Sequence, residues 1–150
     1  KWCLDKVIDT HGNYMTYSYS KDQGQIYLAR IDYAGNENEG LAPTNYVKFY
    51  LEEREDKIVG NNLLYGVHTN KRFKSVAVYG NSMISRLYNS VYNFDKNLYS
   101  PANSITQRSL LTSIEFFGVN SQIDANGVIS GGEMPSSINL RWELGEKSFR

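Results

Sequence analysis

The stretch WCLDKVIDTHGNYMTYSYSKDQGQIYLARIDY, residues 2–33, decides the fold class. Three runs rich in aromatic and β-branched residues are separated by two polar turns, Asp9-Thr10-His11-Gly12-Asn13 and Lys21-Asp22-Gln23-Gly24-Gln25. Gly, Asn and Asp tolerate the positive φ of tight turns, so both segments can reverse the chain. Strand side chains alternate, which places Tyr17 and Tyr19 on one face of the second run. The same rule puts Tyr27, Ala29, Ile31 and Tyr33 on one face of the third. The pattern predicts a three-stranded antiparallel meander packed largely by tyrosine.

Composition agrees with that pattern. The chain has 150 residues, enough for one domain with a real core. Twelve tyrosines favour strand over helix. The charge is balanced, 16 basic against 16 acidic residues, which argues against a nucleic-acid partner. No apolar run approaches the ~20 residues of a membrane span. Cys3 is the only cysteine, so no intramolecular disulfide can form, and it reads as an inert thiol. The chain opens on Lys1 without an initiator Met, and the expectation is a single β domain, residues 1–150, cut from a longer protein.

Downstream the alternation returns. Val47, Phe49 and Leu51 alternate with Lys48, Tyr50 and Glu52, which predicts a half-buried strand. Glu55 to Asn62 reads as a polar turn. Phe73, Ser75, Ala77 and Tyr79 share one face of a further strand, and Gly80-Asn81-Ser82 reads as its hairpin turn. Met83 to Phe94 is read as the returning strand, although Met83, Ile84, Leu87, Tyr88, Val91 and Tyr92 also recur at helical spacing. Ser109 to Phe117 carries the same ambiguity through Leu110, Leu111, Ile114 and Phe117. Gly118 to Ser137 reads as a long Gly-, Asn- and Ser-rich connection, and Ile138, Leu140 and Trp142 as a last strand. The expected fold is mainly β: antiparallel hairpins forming a curved, tyrosine-rich sheet, with room for one short helix.

In this order the residues carry a resemblance. Trp2-x-Leu4, Asp9-x-x-Gly12-Asn13 and Tyr17-x-Tyr19 resemble the opening of the SpvB family, which includes the B components of insecticidal toxin complexes (TcdB/TcaC-like). Ile31-x-Tyr33-x-Gly35-Asn36 and Val47-x-Phe49-x-Leu51-x-x-Arg54-x-Asp56 follow the family pattern. So do Arg72-Phe73, Arg86-x-Tyr88 with Tyr92, and Ser109-x-Leu111-x-Ser113-Ile114 before Gly118. Met134-Pro135-x-x-Ile138-x-Leu140-x-Trp142 is similar to its close, while Ser90 departs from an apolar family position. The Asp9 turn with Tyr17-x-Tyr19 is also similar to an Rhs/YD repeat. The resemblance implies a segment of, or adjoining, a β-sheet shell that encloses a toxic polypeptide in a secreted bacterial virulence protein. It implies other segments of that polypeptide, or toxin-complex subunits, as partners. The ADP-ribosyltransferase of one family branch lies in a different domain and is not carried over.

Sites of chemistry are sparse. Gln122 to Glu133 can be counted as a twelve-residue calcium loop, with Asp124, Asn126, Ser130 and Glu133 as oxygen donors. Gln122 removes the charged first ligand, and Gly131, Gly132 and Pro135 obstruct an exit helix, so a plain surface loop is the stronger expectation. Glu52-Glu53-Arg54-Glu55-Asp56 reads as a solvated charge run, with Arg54 and Asp56 expected to tie a loop. His11 and His68 lack metal spacing, and no nucleophile motif or phosphate loop appears. The expectation is a non-catalytic scaffold without cofactor or resident metal. Trp2, Tyr17, Tyr19, Ile31, Phe49, Tyr88 and Trp142 are its expected packing residues, and Gly12, Asn13, Gly24 and Gly80 its expected turns. A carbohydrate- or protein-binding β-module is the alternative, because tyrosine faces stack on sugar rings.

Overall fold

Paired residues of positive φ make the tight reversals. Gln23 (φ 41) and Gly24 (φ 81) link two strands, and Asn81 (φ 48) and Ser82 (φ 65) link two others. Two consecutive left-handed residues match the twist of the flanking strands, as in a type I′ hairpin. The computed structural model describes residues 2–62, 65–93, 109–133 and 136–141. In chain order its strands are β1 (Lys6–Ile8), β2 (Asn13–Asp22), β3 (Gln25–Asn36), β4 (Asn45–Asn62) and β5 (Tyr65–Gly80). They continue with β6 (Met83–Asn93), β7 (Leu110–Phe117), β8 (Ser121–Ile123), β9 (Ile129–Gly131) and β10 (Ser136–Asn139). Eight form one antiparallel sheet in the order β1-β2-β3-β4-β5-β6-β7-β10, and β8 and β9 form a separate hairpin. No helix occurs among the described residues. Pro135 and Trp142, both read as closing-strand residues, lie outside them.

The two segments with helical spacing are strands, and bulges explain why they looked helical. Cross-strand partners share a face. Val78 pairs with Arg86 and Tyr79 with Ile84, so Ser85 is an extra residue in β6. An extra residue shifts the alternation by one. Ile84 and Leu87, three apart, therefore reach the same core. Thr112 is likewise extra in β7, where Val91 pairs with Ser113 and Tyr92 with Leu111.

Bulges also overturn two expected faces. Tyr19 pairs with Leu28 and Ser18 with Arg30, leaving Ala29 extra in β3. Tyr27 consequently leaves the face of Ile31 and Tyr33. Lys74 is extra in β5, so Phe73 pairs with Leu51 and meets the Phe49 ring at 5.3 Å, while Ser75 and Ala77 turn to the opposite side and are fully buried. The expected turn at Glu55 to Asn62 is instead the far arm of β4, and the expected connection at Gly118 to Ser137 contains the β8–β9 hairpin. Trp2, expected to pack, is fully exposed.

The core lies where that hairpin covers the sheet. Tyr50, Ala77 and Leu87 are buried, and Tyr79, Ile84, Phe117, Ile123 and Ile129 pack around them. A fully buried isoleucine contributes about 1.5–3 kcal/mol. Ile123 and Ile129 are half-buried and contribute less. The more apolar row lies on the other face: Val47 pairs with Val78, Phe49 with Val76, and Val76 with Tyr88. Tyr88 meets Phe116 edge to face at 5.4 Å. Every other described strand is in the sheet or in the hairpin on the Tyr50 side. Among the described residues, no element covers the Val47–Val78 face.

Candidate functional site

Between Glu53, opposite Lys71, and Ile58, opposite Thr69, β4 loops out four residues against one on β5. The loop is Arg54-Glu55-Asp56-Lys57. Its shape is held by an ion pair: Arg54 Nε donates to Asp56 Oδ1 at 3.1 Å, and an Nη donates to Oδ2 at 2.8 Å. Ser109 adds its backbone N–H at 2.8 Å and its hydroxyl at 2.9 Å. The Asp56 side chain is only 4% exposed. Burial opposes its ionisation, but the Arg54 guanidinium and both Ser109 donors outweigh burial and hold the carboxyl well below its ordinary range. The same contact raises Arg54. The expected charge run is therefore partly internal: Arg54 and Asp56 tie the β4 loop to the start of β7.

On either side of the outward loop, β5 is also bonded to β3 and to the turn before it. The Lys71 N–H donates to the Tyr27 hydroxyl at 3.2 Å, and the His68 N–H donates to the Gln23 carbonyl at 3.2 Å. The Ala29 bulge makes this reach possible by turning Tyr27 over. Arg72 places its guanidinium 4.1 Å over the Tyr92 ring and donates from Nε to Glu52 at 2.6 Å. The Tyr92 hydroxyl donates to the Phe73 carbonyl at 2.8 Å. The result is a groove of about 310 Å³ walled by Arg54, Lys71 and Arg72, by Tyr27, Phe73 and Tyr92, and by Leu51 and Ser109. Reading the chain as regular strands missed Tyr27, Lys71 and Arg72 here. The density of charged residues at 52–56 was the one local cue.

The remaining candidate residues sit elsewhere. Asp9 Oδ1 accepts the N–H groups of His11 and Asn13 at 2.8 and 2.9 Å, and Oδ2 accepts the Asn13 amide at 2.9 Å. Gly12 supplies the positive φ of this turn. Tyr19 donates to the Leu4 carbonyl at 2.7 Å, and Tyr17 donates to the Met15 sulfur at 2.8 Å. The calcium-loop count finds no helical flanks, because β7 precedes it and β8 and β9 enclose it. Asp124 Oδ1 is engaged by the N–H groups of Asn126 and Val128, both at 2.8 Å. The Asn126 carbonyl accepts the Lys74 ammonium at 3.1 Å, and Ser130 pairs with Gln122. Glu133 follows β9 in an exposed bend. No group of three or more His, Cys, Asp or Glu able to hold a metal occurs among the described residues.

Several tyrosine faces are already occupied. Lys6 lies over Tyr14 at 4.5 Å, Arg30 over Tyr46 at 3.6 Å and Lys48 over Tyr50 at 4.6 Å. Tyr46 stacks on Tyr79 at 4.3 Å. Such pairs occupy one face of each of these rings.

No protein-family model matches the chain, and no curated protein sequence matches it. Among solved structures it is similar to a crystal structure of TcdB2-TccC3, with a TM-score of 0.57 and 14% identity, over 87% of this chain and 8% of that chain. The fold is toxin-complex-like. The N-terminal domain of effector protein SpvB from Salmonella typhimurium strain LT2 is also similar, with a TM-score of 0.46 and 10% identity, over 93% of this chain and 51% of that chain. The chain thus spans less than a tenth of the TcdB2-TccC3 chain and about half of the SpvB domain.

Proposed function

We propose that the chain is a non-catalytic structural segment of a secreted bacterial protein of the toxin-complex B/SpvB type, contributing to a β-sheet shell that encloses or presents a toxic polypeptide. Its partners are then other segments of the same polypeptide or neighbouring subunits. The observation that carries this reading is the sheet's inverted polarity: the apolar row Val47, Phe49, Val76 and Val78 lies on the face that no described element covers. These four side chains are half-buried rather than sealed in a core, and a contiguous apolar row left partly open marks a contact surface. The fold similarity to TcdB2-TccC3 supports it at the level of architecture. Glycan binding draws no support from the rings of Tyr14, Tyr46, Tyr50 and Tyr92, each of which already has a cation over one face.

Cysteine labelling tests the proposal. In a Cys3→Ser background, Val78→Cys is reacted with a maleimide in the parent protein, with and without its enclosed polypeptide. The expected outcome is fast labelling when the enclosed polypeptide is deleted and strong protection when it is present. Equal labelling in the two forms would sink the shell reading.

A further inference from the structure

The groove beside the β4 loop has a chemistry that the shell does not require. Among the described residues its walls carry three cations, Arg54, Lys71 and Arg72, and no carboxylate. The acids that pair with these cations stand outside the walls. Asp56 is sequestered behind Arg54, Glu52 takes Arg72 Nε, and Glu53, 62% exposed, reaches Lys71 only at 3.5 Å. Arg72 Nη1 is buried and has no hydrogen-bond partner among the described residues. A buried guanidinium N–H without an acceptor is costly, so Arg72 keeps donor capacity beyond its bond to Glu52. Tyr27 accepts the Lys71 N–H on its oxygen, which leaves its phenol proton for donation. Stacking on Tyr92 fixes the plane of the Arg72 fork.

We propose that this groove binds a carboxylate side chain of an extended acidic peptide. The carboxylate supplies two acceptor oxygens to a wall rich in donors, with Arg72 and Lys71 as the principal contacts. Leu51 and Phe73 take the methylenes of the bound side chain. A groove of about 310 Å³ holds one side chain with its flanking backbone rather than a folded surface. The neutral balance of the chain, with Glu52 and Glu53 beside the groove, disfavours a phosphate polymer and tolerates a single carboxylate. The site does not depend on the shell, and its failure leaves the shell reading untouched.

Fluorescence anisotropy provides the test. The probes are a labelled peptide of alternating glutamate and leucine, the same peptide with glutamine for glutamate, and a labelled oligothymidylate. Saturable binding of the glutamate peptide is expected, with the glutamine peptide about tenfold weaker, the scale of a hydrogen bond to a charged group. Lys71→Gln and Arg72→Gln should each weaken the glutamate peptide about tenfold and the glutamine peptide less. The Lys71 side chain is 34% exposed, so its variant retains the fold, and a melting curve on the same sample checks this. No binding, equal affinity for the two peptides, tighter binding of oligothymidylate, or unchanged binding by folded Lys71→Gln would each overturn the proposal.

Discussion

Two turns of the molecule share one plan and serve different ends. In Asp9-Thr10-His11-Gly12-Asn13, the aspartate accepts the N–H groups two and four residues ahead. Its own N–H donates to the Asn13 carbonyl, and the Gly12 N–H donates back to the Asp9 carbonyl. In Asp124-Ala125-Asn126-Gly127-Val128, Asp124 makes the same four bonds, with Gly127 again at positive φ. The first turn is tied sideways: the Asn36 and Asn38 amides donate to the His11 carbonyl, and Asn36 also donates to Asn13. The second is folded onto the sheet, where the buried Ser75 hydroxyl donates to the Gly127 carbonyl at 2.7 Å. An Asp-x-x-Gly sequence specifies a turn, and the surroundings decide whether that turn is a loop tip or part of the core.

The largest expected difference comes from alanine at the two glycines. A Cβ on Gly127 would stand 2.5 Å from Tyr50 Cβ and 2.7 Å from Ser75 Oγ, in the core and at φ +74. Left-handed strain and overpacking together predict that Gly127→Ala destabilises by about 3–5 kcal/mol, roughly 6 °C or more in Tm. The buried ion pair gives an intermediate reference. Arg54→Met leaves Asp56 without its cation and should cost about 3 kcal/mol by denaturant titration. Gly12→Ala meets only the movable end of the Asn38 side chain at 2.7 Å, so about 1–2 kcal/mol is expected. Asn38→Ala in the same chain should recover part of that loss. Equal losses at Gly12 and Gly127 would break the comparison.

Smaller effects sharpen it. Ser75→Ala removes the bond to the Gly127 carbonyl and should cost about 1 kcal/mol in a melt. A cost near zero would mean that the hairpin docks through Ile123 and Ile129 alone. Acid separates an exposed aspartate from the buried one. Asp56 has a folded pKa below the ordinary 3.8, so its contribution is complete above that value and is lost as pH falls beneath it. The Tm gap between wild type and Arg54→Met should therefore narrow as pH is lowered from about 5 to about 2. Asp9 is also lowered, chiefly by the Asn13 side-chain bond, but it is solvent-exposed, so Asp9→Asn should change the acid profile only slightly.

Much of the sheet was legible because its cues are local. Turn residues at 9–13, 21–25 and 80–82 and period-two alternation place β2, β3, β5 and β6 near their observed positions. The sequence pointed to a tie between Arg54 and Asp56, but the size of the β4 loop was not legible, since nothing in Arg54-Glu55-Asp56-Lys57 announces that four residues will stand opposite one. Ser109, the other partner of Asp56, is 53 residues away. The hairpin at Asp124 was read as a loop because β8 and β9 have three residues each and little alternation to show.

The sequence by itself determined an antiparallel β chain of neutral charge, its tyrosine-rich strands and its main turns, because backbone preference and side-chain alternation act within a few residues. Only the tertiary structure decided which face became the core. A single bulge at Ala29, Lys74, Ser85 or Thr112 reverses every side chain beyond it, and those bulges are held by partners on other strands. The hairpin then covers Tyr50, Ala77 and Leu87 rather than the more apolar row, because Gly127 and Ser75 fit together on that side.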